Sequence, residues 1–214
     1  MTDRPLLRKM IDAIHELQRQ TATIAEQSLA ATPAWPACVS NTPRSGTAIT
    51  RRQCVYAQHY PLGVGSVLVF GEERRTVTRA THVVGDIGIA ELDEPISAEP
   101  MRVLPWDWQR WIPTQRDQKM LKSPLPVVRA NQRGQVVRDT VDVLSTKAYF
   151  SPHRGTPHPT PISMGDSGCP VWLPLEVPVL IGCLYTRGSC PSLAHYWEMV
   201  KTWAPEVQEA EWRP

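Results

Sequence analysis

The sequence lacks a large excess of either charge and any long apolar run. Lys and Arg number 23 and Asp and Glu number 21 among 214 residues, so the net charge is only +2. A protein that binds nucleic acid through a strong overall positive field carries a larger excess, so we expect no nucleic-acid partner. No window approaches the roughly 18 apolar residues of a membrane span, and residues 1–20 contain no apolar signal core. We therefore expect no membrane association and a cytoplasmic location.

Cysteine is also scarce. The number is odd and no two cysteines are separated by only two residues; they are Cys38, Cys54, Cys169, Cys183 and Cys190. A disulfide framework is expected to be even and denser, so buried reduced thiols are favoured, with a Cys183–Cys190 bridge as the alternative. The cysteines and histidines do not cluster at the spacing of zinc ligands. We therefore expect no metal and no cofactor.

Proline, in contrast, is abundant, with 21 residues or roughly twice the usual share. Proline limits long helices and favours short elements joined by loops. Short runs rich in β-branched residues are separated by Gly, Pro and charged turns, a pattern typical of an all-β barrel or sandwich. The predicted strands include residues 47–49, 64–70, 76–78, 87–92, 127–129, 135–137, 141–144 and 177–185.

Both ends of the chain show helical spacing of apolar residues. From Leu6 to Ile24 these residues recur at intervals of mostly three or four, which predicts an amphipathic helix in an extension of residues 1–29. Three interpretations stay open for this helix: packing on its own domain, a removable pro-segment, or an oligomerisation helix. The same spacing from Leu193 to Ala204 predicts a closing helix.

The strongest local motif is Gly-Asp-Ser-Gly-Cys-Pro at residues 165–170. Glycines permit unusual dihedral angles and allow a substrate backbone to approach closely, so this turn can expose the Ser167 hydroxyl. The amides of Gly165 and Ser167 can point into one small space, and two converging N–H donors are what a developing oxyanion needs. An ordinary β-turn is the alternative, because Asp, Ser and Gly are all turn formers.

A serine nucleophile needs a base, and the base needs a carboxylate to orient it. His59 ends one short apolar run and Asp86 opens another, so His59, Asp86 and Ser167 follow in that order at the edges of predicted strands. Loops at strand ends hold side chains on a rigid scaffold. His82, four residues before Asp86, is the rival base, but the strand-then-histidine context favours His59.

Three blocks resemble the chymotrypsin/trypsin-like serine protease family, in its bacterial or viral type without the usual disulfides. Residues 45–49 and 55–59 resemble the strand–turn–strand that delivers the family's histidine. Residues 86–90 resemble its aspartate block, and residues 165–170 its nucleophile block. The resemblance extends over residues 44–200.

The resemblance implies an all-β fold of two antiparallel six-stranded β-barrels, with the predicted helices at the two ends. It divides the chain into the extension 1–29, a first barrel over 30–110 and a second barrel with the closing helix over 111–214. The histidine and the aspartate belong to the first barrel, and the serine belongs to the second.

The function that this resemblance implies is that of a serine endopeptidase whose partner is a protein or peptide substrate. Ser167 is then the nucleophile, His59 the general base and acid, and Asp86 the carboxylate that orients the imidazole. The amides of Gly165 and Ser167 form the oxyanion hole. One alternative is a catalytically inactive homologue that acts as a binding or assembly module. Another, an α/β-hydrolase-type esterase, is disfavoured because that class has the order Ser, Asp, His.

The chain departs from the family at several positions. Tyr60 stands where the family has a cysteine, and the partner of that cysteine falls near Ser45, so this disulfide is absent. Pro161 stands six residues before the serine, where secreted trypsins keep a charged specificity residue. In secreted members the aspartate at Asp166 pairs with a newly cut N-terminus. Here either another group satisfies Asp166, which we favour, or the N-terminal segment is removed.

The resemblance also places the primary substrate pocket in two segments of the chain. The expected substrate-binding residues are Pro161, Met164, Leu184, Tyr185, Thr186 and Arg187. Without a charged residue at position 161, we expect small or medium uncharged side chains to be preferred to Lys or Arg. Arg187 stands where the family often has glycine, so it narrows the entrance or binds an acidic side chain.

Overall fold

The computed structural model describes residues 27–28, 37–40, 45–107, 125–130, 135–143, 147–149, 165–173, 175, 177–185 and 189–211. Within these ranges the chain forms fourteen strands and one helix, so the predicted all-β class is confirmed. The strands belong to two sheets. None of the described helical residues makes up a stretch long and apolar enough to cross a bilayer.

The first sheet is a closed barrel of six antiparallel strands in the order β2-β3-β4-β7-β6-β5. The strands are β2 (Ala37–Ser40), β3 (Ser45–Ala48), β4 (Gln53–Ala57), β5 (Val67–Phe70), β6 (Glu73–Val84) and β7 (Ile87–Leu92). Buried side chains such as Tyr56 and Leu68 form one apolar cluster here. The register pairs Ala57 with Ile87, so the segment after β4 lies beside the turn before β7.

The second sheet has eight strands in the order β14-β11-β10-β9-β12-β13-β8, and β1 pairs with β10. The strands are β1 (Gln27–Ser28), β8 (Arg102–Val103), β9 (Leu125–Ala130), β10 (Gln135–Val143), β11 (Lys147–Tyr149), β12 (Pro170–Leu173), β13 (Val179–Cys183) and β14 (Ser189–Pro191). The strand β8 is parallel to β13, and it is the first strand of the second sheet after the barrel strands. The other pairings are antiparallel.

A second apolar cluster joins the two sheets. It contains Val55 and Ile87 from the barrel together with Val171 and Leu180 from the second sheet. Removal of apolar surface from water stabilises a protein by about 25 cal/mol per Å², so this cluster holds the sheets together. Val55 lies on β4, which ends two residues before His59, and Ile87 is the first residue of β7, directly after Asp86.

The helix α1 (Trp197–Trp203) follows the second sheet and buries Trp197 and Val200. It is shorter than the spacing predicts, because residues 193–196 form turns. The N-terminal helix that we predict lies outside the described residues, except that the final residues of the expected extension form β1. The run predicted at 135–137 and residues 141–143 of the run predicted at 141–144 are parts of one strand, β10, because the residues between them pair in register with β9.

Candidate active site

The pairing of β4 with β7 brings His59 and Asp86 together. His59 lies two residues beyond the end of β4, and Asp86 immediately precedes β7. The Gln58 amide donates to the Asp86 backbone carbonyl at 2.8 Å, and the His59 amide donates to Asp86 Oδ1 at 2.5 Å. Two backbone amides therefore hold Asp86 in place, independently of its contact with the imidazole.

The imidazole of His59 lies between Asp86 and Ser167. Its Nδ1 is 2.5 Å from Asp86 Oδ2, and its Nε2 is 2.9 Å from Ser167 Oγ. An ionised carboxylate only accepts hydrogen bonds, so Nδ1 carries the hydrogen that is donated to Asp86. This tautomer leaves Nε2 as the acceptor of the Ser167 hydroxyl hydrogen. The three side chains thus form one hydrogen-bond chain from carboxylate to hydroxyl.

The acid and the imidazole differ in their access to solvent. The side chain of Asp86 is 9% exposed, whereas that of His59 is 44% exposed. A shielded carboxylate interacts more strongly with a positive imidazolium than an exposed one does. The Tyr185 ring packs edge-on against His59, with centroids 5.7 Å apart and ring planes at 90°. One side of the imidazole is therefore covered, and the rest remains accessible to a substrate.

His82, the rival base, contacts the turn of its own hairpin. Its Nε2 donates to the Gly85 carbonyl at 2.9 Å, because a carbonyl oxygen can only accept. This nitrogen is therefore occupied by the turn between β6 and β7. The histidine that contacts the Ser167 hydroxyl is His59.

Ser167 lies on a turn that two glycines shape. Gly165 has a φ of +98° and Gly168 a φ of +90°, values that side chains with a Cβ rarely adopt. The Gly168 amide donates to the Leu184 carbonyl at 2.8 Å, and the Leu184 amide donates to the Cys169 carbonyl at 2.7 Å. These reciprocal bonds fix the turn to the segment that follows β13.

The same turn packs against β3 of the barrel. A Cβ added to Gly168 would lie 1.9 Å from the Ser45 carbonyl oxygen, so only glycine permits this approach. The Thr47 hydroxyl donates to the Gly168 carbonyl oxygen at 3.0 Å. The nucleophile turn is therefore held by both sheets.

Two charged side chains are almost completely buried in the described part of the chain. Asp166, directly before Ser167, is 1% exposed, and Arg129 on β9 is 0% exposed. Arg129 pairs in register with Val171 on β12, the strand that begins just after the nucleophile turn. A buried positive charge therefore lies on the strand next to β12, and a buried negative charge lies in the turn that precedes β12.

Four described cysteines are buried and form no disulfide: Cys54, Cys169, Cys183 and Cys190. Burial is the main cause that raises the pKa of the Cys183 thiol well above its ordinary value, with further contributions from Cys190, Asp86 and Cys169. The thiol is thus held in its protonated, unreactive form. Among the described residues, no group of three or more His, Cys, Asp or Glu side chains converges as metal ligands do.

Part of the expected substrate pocket lies among the described residues. Pro161, Met164, Thr186 and Arg187 lie outside them, so the shape of the pocket stays a prediction. Leu184 is buried in the apolar cluster that joins the sheets, and Tyr185 contacts His59.

Sequence reasoning missed two contacts of the site. The Thr47–Gly168 hydrogen bond joins residues 121 positions apart, and no local pattern marks it. The resemblance places Tyr185 in the wall of a pocket, and its ring packs on His59. The position of Tyr185 directly after an apolar strand was the only indication in the sequence, and it does not predict the orientation of the ring.

The fold is similar to that of solved proteases. Kallikrein-related peptidase 10, in a complex with Zn²⁺, matches with a TM-score of 0.58 at 14% identity, over 81% of this chain and 96% of its own. VesB protease of Vibrio cholerae matches with a TM-score of 0.61 at 14% identity, over 85% of this chain and 67% of its own. The chain has the fold of trypsin-like serine proteases. No protein-family model matches the sequence, and a search of curated proteins finds no significant match.

Proposed function

We propose that this trypsin-like chain is a serine endopeptidase in which Ser167, His59 and Asp86 form the catalytic triad. One observation carries the proposal: the hydrogen-bond chain with 2.5 Å between Asp86 Oδ2 and His59 Nδ1 and 2.9 Å between His59 Nε2 and Ser167 Oγ. A binding module does not need these three residue types in this arrangement. The structurally similar proteins are named as a peptidase and a protease, which supports the same conclusion.

In the proposed reaction the Ser167 oxygen attacks the carbonyl carbon of the scissile peptide while His59 Nε2 takes the hydroxyl proton. The resulting imidazolium stays paired with Asp86, whose shielded carboxylate stabilises the positive charge. His59 then gives the proton to the leaving amine as the C–N bond breaks. Water, activated by the same imidazole, hydrolyses the acyl-enzyme and restores the Ser167 hydroxyl.

We propose that the amides of Gly165 and Ser167 form the oxyanion hole. Neither amide donates to an acceptor among the described residues, which supports the proposal that both point toward a substrate oxygen. The positive φ of Gly165 is a backbone conformation that glycine adopts without strain. Loss of one such donor typically lowers turnover by about 10²- to 10³-fold.

The substrate is proposed to bind as an extended strand in a cleft between two barrels. The second sheet would close into a barrel by joining β13 to β14. Two backbone bonds of 3.0 Å support this closure, one from the Tyr185 amide to the Ser189 carbonyl and one from the Leu193 amide to the Ile181 carbonyl. The pocket walls are proposed at residues 161–164 and 184–187.

We also propose that Asp166 is satisfied by Arg129 rather than by a newly cut N-terminus. An isolated charge in a protein interior costs several kcal/mol, and an opposite charge offsets that cost. Arg129 supports this assignment because it is fully buried and lies on β9, next to the strand that follows the nucleophile turn. An active enzyme would then need no removal of the N-terminal segment.

Labelling by a fluorophosphonate probe tests the proposed function. The probe reacts with an activated serine hydroxyl, so the wild type should be labelled and Ser167→Ala should not. Ser66→Ala is the matched control, because the Ser66 hydroxyl lies in a surface turn and accepts a hydrogen bond from the Gly63 amide at 3.1 Å. It should be labelled like the wild type. An unlabelled wild type would favour the alternative, an inactive homologue that serves as a binding or assembly module.

A further inference from the structure

The hydrogen bond between Thr47 and Gly168 has no part in the proton transfers of the proposed reaction, yet it joins the two sheets at the site. The Thr47 hydroxyl donates to the Gly168 carbonyl oxygen at 3.0 Å, and Thr47 is fully buried. We infer that Thr47 is a positioning residue, whose hydroxyl holds the nucleophile turn in register with the barrel that carries the base. This inference rests on the proposed function.

The path from Thr47 to the triad, through strand pairing on one side and along the backbone on the other, is short. Thr47 on β3 pairs in register with Val55 on β4, and β4 ends two residues before His59. On the other side of the hydrogen bond, Gly168 follows Ser167 directly. The 2.9 Å contact between His59 Nε2 and Ser167 Oγ crosses from one sheet to the other, and the Thr47 hydroxyl connects the same two segments.

The Thr47 hydroxyl orients the Gly168 carbonyl in a way that packing alone does not. Gly168 has no side chain, and its backbone packs against the Ser45 carbonyl. Its amide is fixed by the Leu184 carbonyl, and the Thr47 bond adds an anchor at the Gly168 carbonyl, which belongs to the next peptide, between Gly168 and Cys169. A buried carbonyl that loses its donor carries an unfavourable desolvation cost, so we expect the turn to shift until the carbonyl finds another donor. The Ser167 hydroxyl, one residue away, would move with it.

The size of the effect follows from the sensitivity of catalysis to geometry. A misplacement of about 1 Å at a reacting group can cost on the order of 10²-fold in rate. The Thr47 hydroxyl donates to the Gly168 carbonyl and not to the Ser167 hydroxyl or the imidazole, so its loss should act on the chemical step through position. Substrate affinity should change little.

The test compares Thr47→Val, Thr47→Ser and Thr47→Ala with the control Thr50→Val. Thr50 is also a buried threonine, in the turn after β3. Its hydroxyl donates to Gln53 Oε1 at 2.7 Å and accepts from the Arg52 and Gln53 amides, all within its own turn. Each variant is assayed for melting temperature, for kcat and KM on a peptide that the wild type cleaves, and for the rate of fluorophosphonate labelling. Thr47→Ser and Thr47→Ala differ only by the hydroxyl, so this pair carries the test if Thr47→Val does not fold.

We expect Thr47→Val and Thr47→Ala to lower kcat and the labelling rate by about 10- to 100-fold, with KM changed by less than about threefold. Thr47→Ser should recover most of the loss, and Thr50→Val should keep the wild-type kcat even if its melting temperature falls. Equal kcat in Thr47→Ser and Thr47→Ala would overturn the inference, as would an equal loss in Thr50→Val. A wild type that is not labelled would instead show that the proposed function has failed, and the inference with it.

Discussion

Replacement of Gly168 by alanine should destabilise the protein and disable the nucleophile turn. A φ of +90° costs a residue with a Cβ about 1–2 kcal/mol. The added Cβ would also lie 1.9 Å from the Ser45 carbonyl oxygen and 2.6 Å from its carbon, and overpacking of this kind costs a further ~1–3 kcal/mol. We therefore expect Gly168→Ala to lower the free energy of unfolding by about 2–5 kcal/mol.

Gly65→Ala is the matched control for this prediction. Gly65 has a φ of +86°, but nothing lies within 4 Å of its added Cβ, so only the backbone cost of about 1–2 kcal/mol applies. Urea unfolding followed by circular dichroism gives both free energies, provided that the m-values agree. Gly65→Ala should keep fluorophosphonate labelling, and Gly168→Ala should lose it. Equal destabilisation of the two variants would show that the turn does not pack against β3 and would refute the reasoning.

Three other measurements test the thiols, a surface carboxylate and the substrate pocket. Because burial raises the pKa of Cys183 well above its ordinary value, iodoacetamide at neutral pH should leave this thiol unmodified in the native protein. Dithiothreitol should leave the melting temperature unchanged, and a large fall in melting temperature would reveal a structural disulfide. The pKa of Asp93 is lowered, chiefly by a hydrogen bond from the Thr76 amide, so its stabilisation is present above the carboxyl's ordinary pKa and lost as pH falls through the lowered value. Asp93→Asn should therefore flatten the decline in melting temperature between about pH 5 and pH 2, and an unchanged decline would contradict this. A peptide library should show small or medium uncharged side chains preferred at the cleaved position. A profile dominated by Lys or Arg would overturn the pocket assignment, and a Glu preference lost in Arg187→Ala would give that residue a direct role.

Features that depend on neighbouring residues were predictable from the sequence, and features that depend on distant ones were not. The predicted strand 87–92 coincides with β7, because a mostly apolar run, broken only by Glu91 among charged residues, lies between a glycine turn and Asp93. The run predicted at 76–78 is part of the longer β6, since the polar residues around it pair with both β5 and β7. His59, Asp86 and Ser167 each lie in a short local motif, and their contacts depend on how the two sheets meet.

The contact between Thr47 and the nucleophile turn shows the limit most clearly. A buried threonine in a strand is compatible with its β propensity alone. Its hydrogen-bond partner is a backbone carbonyl 121 residues away, and any residue type can supply such a carbonyl. Only the three-dimensional arrangement of the two sheets therefore identifies the interaction.

The central claim is that Ser167 and His59 act as one catalytic unit, and its most direct measurement is the hydrolysis of a peptide substrate by matched variants. We expect Ser167→Ala and His59→Ala each to lower kcat on the order of 10⁴-fold or more, and the double variant to lose little beyond either single one. His82→Ala, whose wild-type imidazole contacts Gly85, should retain kcat within a few-fold of the wild type. If His59→Ala retains hydrolysis, or if His82→Ala abolishes it while His59→Ala does not, the assignment of the base and of the triad is wrong.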